Sequence, residues 1–468
     1  MPAPMDKHDA PSHRDESLSL SSLYGMTPKV EAAVITALAE GKTQRVRALV
    51  APLHPADQAD LVERLNTAQR RRLFVMIGPV LDPETLAFID EDLLEEALGI
   101  IGAEGVARAL PELDSDDVVD ILQEFEPEER DEILAAMPVA ERLIVQEGLS
   151  YPEDSAGRMM QREVVVAPSH WTVGQTIDFM RSQQNLPEDF YSIIVVDPAQ
   201  RVLGQVMLSR LLASQRPVRL SDIMMDTPQQ IPASMDQEEV ALLFKRYALV
   251  TASVVDEHGK LVGIITVDDV VDVIEEEAEE DLMALGGVSD ANIRANLIET
   301  LRSRFSWLLL NLFTAVVASV VIGFFENTIE QLVALAVLMP IVASMGGNAG
   351  TQTLTVAVRA LALRQLSRQT VGRFIFRELA VGAVNGVVFA ITAGVISWLW
   401  LGNIDIAIIM GFAMIANLII AGLSGTLIPL SMERMGVDPA VSSSVFITTV
   451  TDVIGFLSFL GLATLFLI

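Results

Sequence analysis

Near the C-terminus a single carboxylate stands in a run of hydroxyls within an otherwise apolar stretch: Ser442-Ser443-Ser444-Val445-Phe446-Ile447-Thr448-Thr449-Val450-Thr451-Asp452-Val453-Ile454-Gly455. Carboxylate and hydroxyl oxygens are the donors that hard cations take. If the stretch crosses a membrane as a helix, Asp452 lies about 15 Å from its start, near the bilayer midplane. A charge there is costly and by default marks an ion or proton path, the alternative being a protonated or structurally paired aspartate. A second concentration of oxygen donors comprises Asp268, Asp269, Asp272, Glu275, Glu276, Glu277, Glu279, Glu280 and Asp281, nine carboxylates in fourteen residues with no cation among them. Such a run is either a solvated helix face or a place where cations collect. A third segment, Pro340 to Thr353, sets Gly346, Gly347, Asn348 and Gly350 inside an apolar span. It reads either as a helix break whose carbonyls line a cavity, or as close packing of small residues.

The donors available elsewhere narrow the chemistry. The chain has no cysteine, and its five histidines (His8, His13, His54, His170, His258) are scattered, so thiolate and imidazole metal sites are excluded and any bound metal is a hard cation on oxygen. No phosphate loop, nucleophile motif or catalytic metal cluster is visible, so an enzyme is not expected. Of 62 acidic and 32 basic residues, only seven and eight lie after residue 301, so the net charge of −30 belongs to the N-terminal part. That part repels nucleic acid and anionic headgroups and concentrates cations.

The elements that must position these groups follow from periodicity. Residues 1–27 are polar and read as a disordered tail. Over 28–155, apolar residues recur at helical spacing between proline-containing turns, giving stacked short helices. Two helix starts, Asp82-Pro83-Glu84 and Asp114-Ser115-Asp116-Asp117, place carboxylates where the helix dipole favours them, as ordinary caps or as something more. Residues 156–275 contain a repeat of strand, aspartate turn, strand and helix with a period of about 60 residues: Tyr191 to Asp197 then Val202-Leu203-Gly204, and Ala252 to Asp256 then Leu261 to Thr266. From about 302 come five apolar stretches, roughly 306–325, 329–356, 376–401, 404–430 and 442–468, each long enough to span a bilayer. Arg359, Arg364, Arg368, Arg373 and Arg377 follow the second stretch and Arg434 the fourth, which places the N-terminal region in the cytoplasm and the C-terminus outside, in a multi-pass cell-membrane protein.

The closing motif of the second repeat, Gly263-Ile264-Ile265-Thr266-Val267-Asp268-Asp269, resembles that of CBS domains, which occur in pairs and often bind adenine nucleotides. Gly346-Gly347-Asn348-Ala349-Gly350, Asn417 with Gly422 and Pro429, Asp438-Pro439-Ala440, and Thr451-Asp452 with Gly455 resemble the signature of MgtE-type magnesium transporters, over nearly the whole chain. The resemblance implies a multidomain protein: a cytoplasmic all-α superhelical N domain (28–155), an α/β CBS pair (156–217 and 218–275), a connecting helix (276–301) and a polytopic α-helical membrane domain of five spans (302–468). It implies a homodimer in the lipid bilayer, with no obligate further protein partner, whose pore runs along the two-fold axis with Asp452 of each subunit at the magnesium site. It also assigns cytoplasmic sensing ligands to Glu84, Asp116, Asp236, Glu238, Asp269, Asp272, Glu277, Glu280 and Asp281, and a ribose contact to Asp268 if ATP binds the CBS pair. Ala248 stands where some relatives carry an acidic ligand, and Thr351 where an asparagine is common.

Magnesium holds its water tightly and needs only one or two carboxylates, so paired Asp452 side chains suit a hydrated ion. Two carboxylates about 6 Å apart at an effective dielectric near 20 repel by roughly 3 kcal/mol, so bridging ions would draw acidic domains together and close the pore. A manganese or cobalt transporter, and a membrane-anchored ion or nucleotide sensor that transports nothing, are the competing readings.

Overall fold

The structure is a computed structural model describing residues 26–78, 81–183, 186–187, 190–225, 229–288, 297–366 and 369–468; most of the expected tail lies outside them. The chain forms two compact units divided between Val273 and Ile274.

The first unit opens, among the described residues, with nine helices: α1 (Pro28–Ala39), α2 (Thr43–Val50), α3 (Pro55–Arg64), α4 (Thr67–Ile77), α5 (Glu91–Ile101), α6 (Ala103–Ala109), α7 (Ser115–Gln123), α8 (Pro127–Ala136) and α9 (Val139–Gly148). Local chemistry sets their starts. Pro28, Pro55 and Pro127 sit in first turns, where a missing N–H costs nothing, and Asn66 with Gln69 forms a reciprocal capping box on α4. Leu38, Val46, Leu61, Phe74, Leu110 and Leu122 belong to one core running through these helices.

The repeat folds as two three-stranded sheets of the same topology. In the first, β1 (Val166–Pro168) lies parallel to β2 (Ser192–Val196), which pairs antiparallel with β3 (Val202–Met207); α10 (Val173–Ser182) makes the crossover. Two short helices, α11 (Leu208–Ala213) and α12 (Leu220–Ile223), lead to the second copy: β4 (Gln230–Pro232), α13 (Gln237–Tyr247), β5 (Thr251–Val255) and β6 (Leu261–Thr266). Strands β2 and β5 are buried on both faces, as their unbroken apolar runs require. Each copy's leading segment is donated to the other's sheet: Gln161 bridges Ile264 of β6, and Met225 bridges Gln205 of β3. Gly263 and Gly204 make room for this, since a Cβ on either would stand 2.7 Å from the Gln161 or Met225 carbonyl. This exchange explains why the sequence carries the module twice. Helix α14 (Val267–Gly286) follows β6 without a break and carries the acidic run.

The second unit holds α15 (Leu297–Gly323), α16 (Glu326–Gln331), α17 (Ala334–Ala362), α18 (Val371–Leu401), α19 (Ile404–Arg434) and α20 (Pro439–Leu467). Five helices are long and apolar enough to cross a membrane: Thr300–Gly323, Ala334–Ala362, Val371–Leu401, Ile404–Arg434 and Ser444–Leu467. The second begins later than the apolar pattern indicates, because Glu326 to Gln331 forms the separate short helix α16. Helix α19 is the most enclosed and packs against α17, α18 and α20, whereas α15 and α18 expose most of their apolar surface.

The glycine-rich segment does not break its span. α17 runs unbroken from Ala334 to Ala362, with Pro340 inside it. Its glycines are spacers: a Cβ on Gly346 would collide with the Asn417 side chain, one on Gly350 with Ile447, and one on Gly425 would stand 2.7 Å from the Gly350 carbonyl. Without side chains in the way, helices approach closely enough for dispersion contacts to hold them where no hydrophobic effect operates. Gly425→Val therefore places branched carbons against backbone that cannot move aside. Full-length protein in detergent is expected to lose several degrees of thermal midpoint or to aggregate; an unchanged melting curve would show that the contact is not tight.

Candidate cation sites

Asp452 is residue 14 of the 29-residue helix α20, half-way along it. It is half-buried, and no hydrogen bond or ion pair to its carboxylate is seen among the described residues. Helical spacing puts Ser444, Thr448 and Asp452, each four residues on from the last, along one face. Thr448 and Thr451 turn their hydroxyl hydrogens onto the carbonyls of Ser444 and Ile447 at 2.7 and 3.0 Å, which leaves oxygen lone pairs to face outward. Toward one end of this face, a cavity of about 510 Å³ is lined by Thr351, Ser444 and Thr448 together with Gly287, Arg304 and Asn311. The four expected lining residues divide. Gly346 and Gly350 are buried in helix contacts; Gly347 lies 3.5 Å, measured from an added Cβ, from the Thr448 methyl; Asn348 is exposed, its amide 3.4 Å from Ser344 Oγ. Asn417, fully buried, donates to the Val342 carbonyl at 2.8 Å, and its Oδ1 finds no donor. Within α18, Arg377 and Glu378 pair with each other at 3.0 Å, so the arginines expected between spans partly belong to the helix itself.

In the first unit, α7 and the start of α14 bring carboxylates together. Asp116 is buried and takes one hydrogen bond, from the Asp117 amide at 3.1 Å; its Oδ2 has no partner. Burial and then the Asp269 charge push the Asp116 carboxyl well above the ordinary range. The same causes raise Asp117 from 3.8 to about 7, with Asp114, Glu84 and Asp268 adding to the repulsion. Asp269, which accepts from Thr266 Oγ1 at 2.7 Å, is raised to about 6, chiefly by burial. Holding a carboxyl at about 7 instead of 3.8 makes its ionised form costlier by on the order of 4 kcal/mol. Among the described residues no three acidic or histidine side chains converge tightly enough to hold a bare ion. The arrangement fits a cation that keeps part of its water and bridges α7 to α14.

Other expected ligands are placed differently. Glu84 is exposed and follows Asp82, whose side chain caps the turn at Pro83–Leu86. Asp236 caps α13 by accepting from the Glu238 amide at 3.0 Å, and Ala248 ends that helix in the left-handed region at φ 51°. Asp268 and Asp272 are exposed on α14, as is Glu280, while Glu277 is half-buried. In the second unit, partial burial and the charge of Asp438, which caps α20, raise the Asp281 carboxyl. Asp117 and Asp438 are the members that sequence reasoning did not select. Asp117 sat in view beside Asp116, and Asp438 stood in the Asp438-Pro439-Ala440 motif, where the structure shows it capping α20.

Residues 339–462 match the family described as MgtE, divalent cation transporter, residues 53–154 the MgtE intracellular N domain, and residues 156–216 and 220–276 the CBS domain. The chain is 32% identical over 438 residues to a Bacillus subtilis (strain 168) protein named magnesium transporter MgtE, covering 93% of this chain and 96% of that one. The chain belongs to the MgtE family. A Thermus thermophilus member, also named magnesium transporter MgtE, is 31% identical over 449 residues, 94% of this chain and 99% of its own. A solved cytosolic domain of the Mg2+ channel MgtE in complex with ATP is 31% identical, covers 52% of this chain and 99% of that one, and aligns with a TM-score of 0.49.

The raised carboxyls of this MgtE member carry a sign for stability. A carboxyl whose value rises on folding stabilises fully below its unfolded value, and that contribution is lost as pH rises through the folded one. In chelator, the first unit's melting transition in the full-length protein is therefore expected to fall as pH rises through the window from 3.8 to about 7 set by Asp117, and to level off above it. Asp117→Asn should flatten this slope; a variant as steep as the parent would show that Asp117 does not titrate there.

Proposed function

We propose that this MgtE member is a magnesium channel or transporter that imports Mg2+ and is closed when Mg2+ binds its acidic cytoplasmic unit. The observation that carries the reading is Asp452, half-way along a membrane-length helix and in line with Ser444 and Thr448. A pair of such aspartates, one from each subunit of a homodimer, offers two negative charges to an ion that arrives hydrated, and the flanking hydroxyls take hydrogen bonds from its water. The donors are all oxygen, which suits Mg2+ and disfavours soft metals. The names of the relatives, magnesium transporters, support the same ion.

The gating part rests on the carboxylates of α7 and α14. An ion bridging Asp116 or Asp117 to Asp269 offsets repulsion that otherwise opposes their approach, so Mg2+ favours the compact state by its differential affinity. Asp236, Glu238, Asp272, Glu277, Glu280 and Asp281, with Asp438, are proposed as further places where the ion collects. The positive-inside rule, applied to Arg359, Arg364, Arg368, Arg373, Arg377 and Arg434, supports a cytoplasmic position for the first unit. A nucleotide on the CBS pair would find the exposed Asp268 available for its ribose.

The test is uptake of divalent cations into proteoliposomes by the parent and by Asp452→Ala and Asp452→Asn, with manganese, cobalt and calcium as competitors. The expectation is saturable Mg2+ uptake that falls at least tenfold in both variants. Undiminished uptake in Asp452→Ala removes the aspartate from the path, and stronger uptake of Mn2+ or Co2+ than of Mg2+ reassigns the substrate.

A further inference from the structure

Helix α7, which carries Asp116 and Asp117, is not capped by its own N-cap residue: the Asp114 side chain makes no capping bond. The cap comes from the segment leading into the first CBS copy. Glu163 Oε2 accepts from the Ser115 amide at 3.2 Å and from Ser115 Oγ at 2.8 Å, while the Arg162 amide donates to Ser115 Oγ at 2.8 Å and to Glu163 Oε2 at 3.0 Å. Ser115 is buried, so these bonds are shielded from water. The Arg162 guanidinium extends the same junction in two directions. Its Nη1 donates to the Val262 carbonyl of β6 at 2.7 Å, and its Nη2 meets Glu147 of α9 at 3.1 Å. One dipeptide thus joins two helices of the N domain to the sheet of the second CBS copy.

The location gives the contact its consequence. Asp116 is the residue after Ser115, and Asp269 lies on the helix that continues β6, the strand Arg162 holds. Whatever fixes Ser115 against β6 also fixes the spacing of the two carboxylates. Glu163 adds a further negative charge at this helix start, where the dipole accepts it, and it does so through hydrogen bonds that need no metal.

We propose that Glu163, with Arg162, is a positioning latch: its bonds favour the docked arrangement of the N domain on the CBS pair without completing it, and thereby lower the Mg2+ concentration at which the acidic unit closes. The inference rests on the gating reading above. With the latch, part of the ordering needed to bring α7 to α14 is already done, so less of the binding free energy of the ion is consumed. Without it, the N domain is pushed away by its own carboxylates and more Mg2+ is needed to bring it back.

The absence of native cysteines makes the test direct. Spin labels are placed at Glu129→Cys in α8 and Arg210→Cys in α11, both exposed, in the full chain in nanodiscs, and the distance distribution is followed by double electron–electron resonance during Mg2+ titration. Glu163→Ala is expected to broaden the metal-free distribution and to raise the Mg2+ midpoint by about tenfold, the scale of losing charge-assisted hydrogen bonds. Arg162→Ala should shift it in the same direction. Glu163→Gln, which keeps a neutral acceptor for Ser115, should shift it less. A residue with only a structural role lowers the melting temperature and leaves the midpoint in place. Unchanged midpoints in both alanine variants, with the parent closing normally, overturn the latch alone. A parent whose distances do not respond to Mg2+ at all overturns the gating reading beneath it.

Discussion

Repulsion between carboxylates that the fold holds together in partly dry surroundings is the constraint on which the first unit depends. Asp116 and Asp117 at the start of α7 feel burial first and then the charge of Asp269 at the start of α14, which is itself raised chiefly by burial. Sequence chemistry requires α7 to be there, since Val118, Val119, Ile121 and Leu122 on its inner face belong to the N-domain core. The helix cannot retreat to relieve its acidic start without uncovering that face. The arrangement is therefore favoured by protons at low pH, and under the proposed gating a divalent cation takes their place near neutrality.

The membrane unit is governed by close approach instead of charge. Spacer glycines let α17, α19 and α20 meet at backbone distance, and Asn417 is buried among them with Gly346 and Gly455 giving it room. Close packing leaves little freedom to α20, so the stripe of Ser444, Thr448 and Asp452 is held rigidly. A rigid stripe suits an ion whose hydration shell resists distortion, because the site need only match the shell and not strip it. The exposed apolar faces of α15 and α18 are what a bilayer covers, and a second subunit can take part of the same surface.

Most of the architecture was legible because it is written in periodicity. The short helices, the twice-used module and the five spans follow from apolar spacing, and Asp452 was conspicuous as a lone charge in an apolar run. The misreadings have physical causes. Glycines in a span read equally as a break or as a packing seam, and only the positions of Asn417 and Ile447 decide for the seam at Gly346 and Gly350. Glu326 to Gln331 has enough apolar neighbours to be drawn into the following span, yet it forms a turn and a half of separate helix. The latch was invisible because Glu163 and Ser115 are 48 residues apart and Arg162 and Val262 are 100 apart; neither pair has a local pattern. Asp117 differs from other first-turn acids only in its burial, which tertiary structure alone supplies.

The central claim is that a divalent cation replaces protons on the carboxylates between α7 and α14. It is tested most directly by calorimetric titration of Mg2+ into the full-length protein near pH 6.5, repeated in buffers of differing ionisation enthalpy. The account predicts net proton release on binding, because Asp117 is held at about 7 and Asp116 well above its ordinary value, and a smaller release from Asp117→Asn. Binding that releases no protons, or the same number from the variant as from the parent, would contradict it.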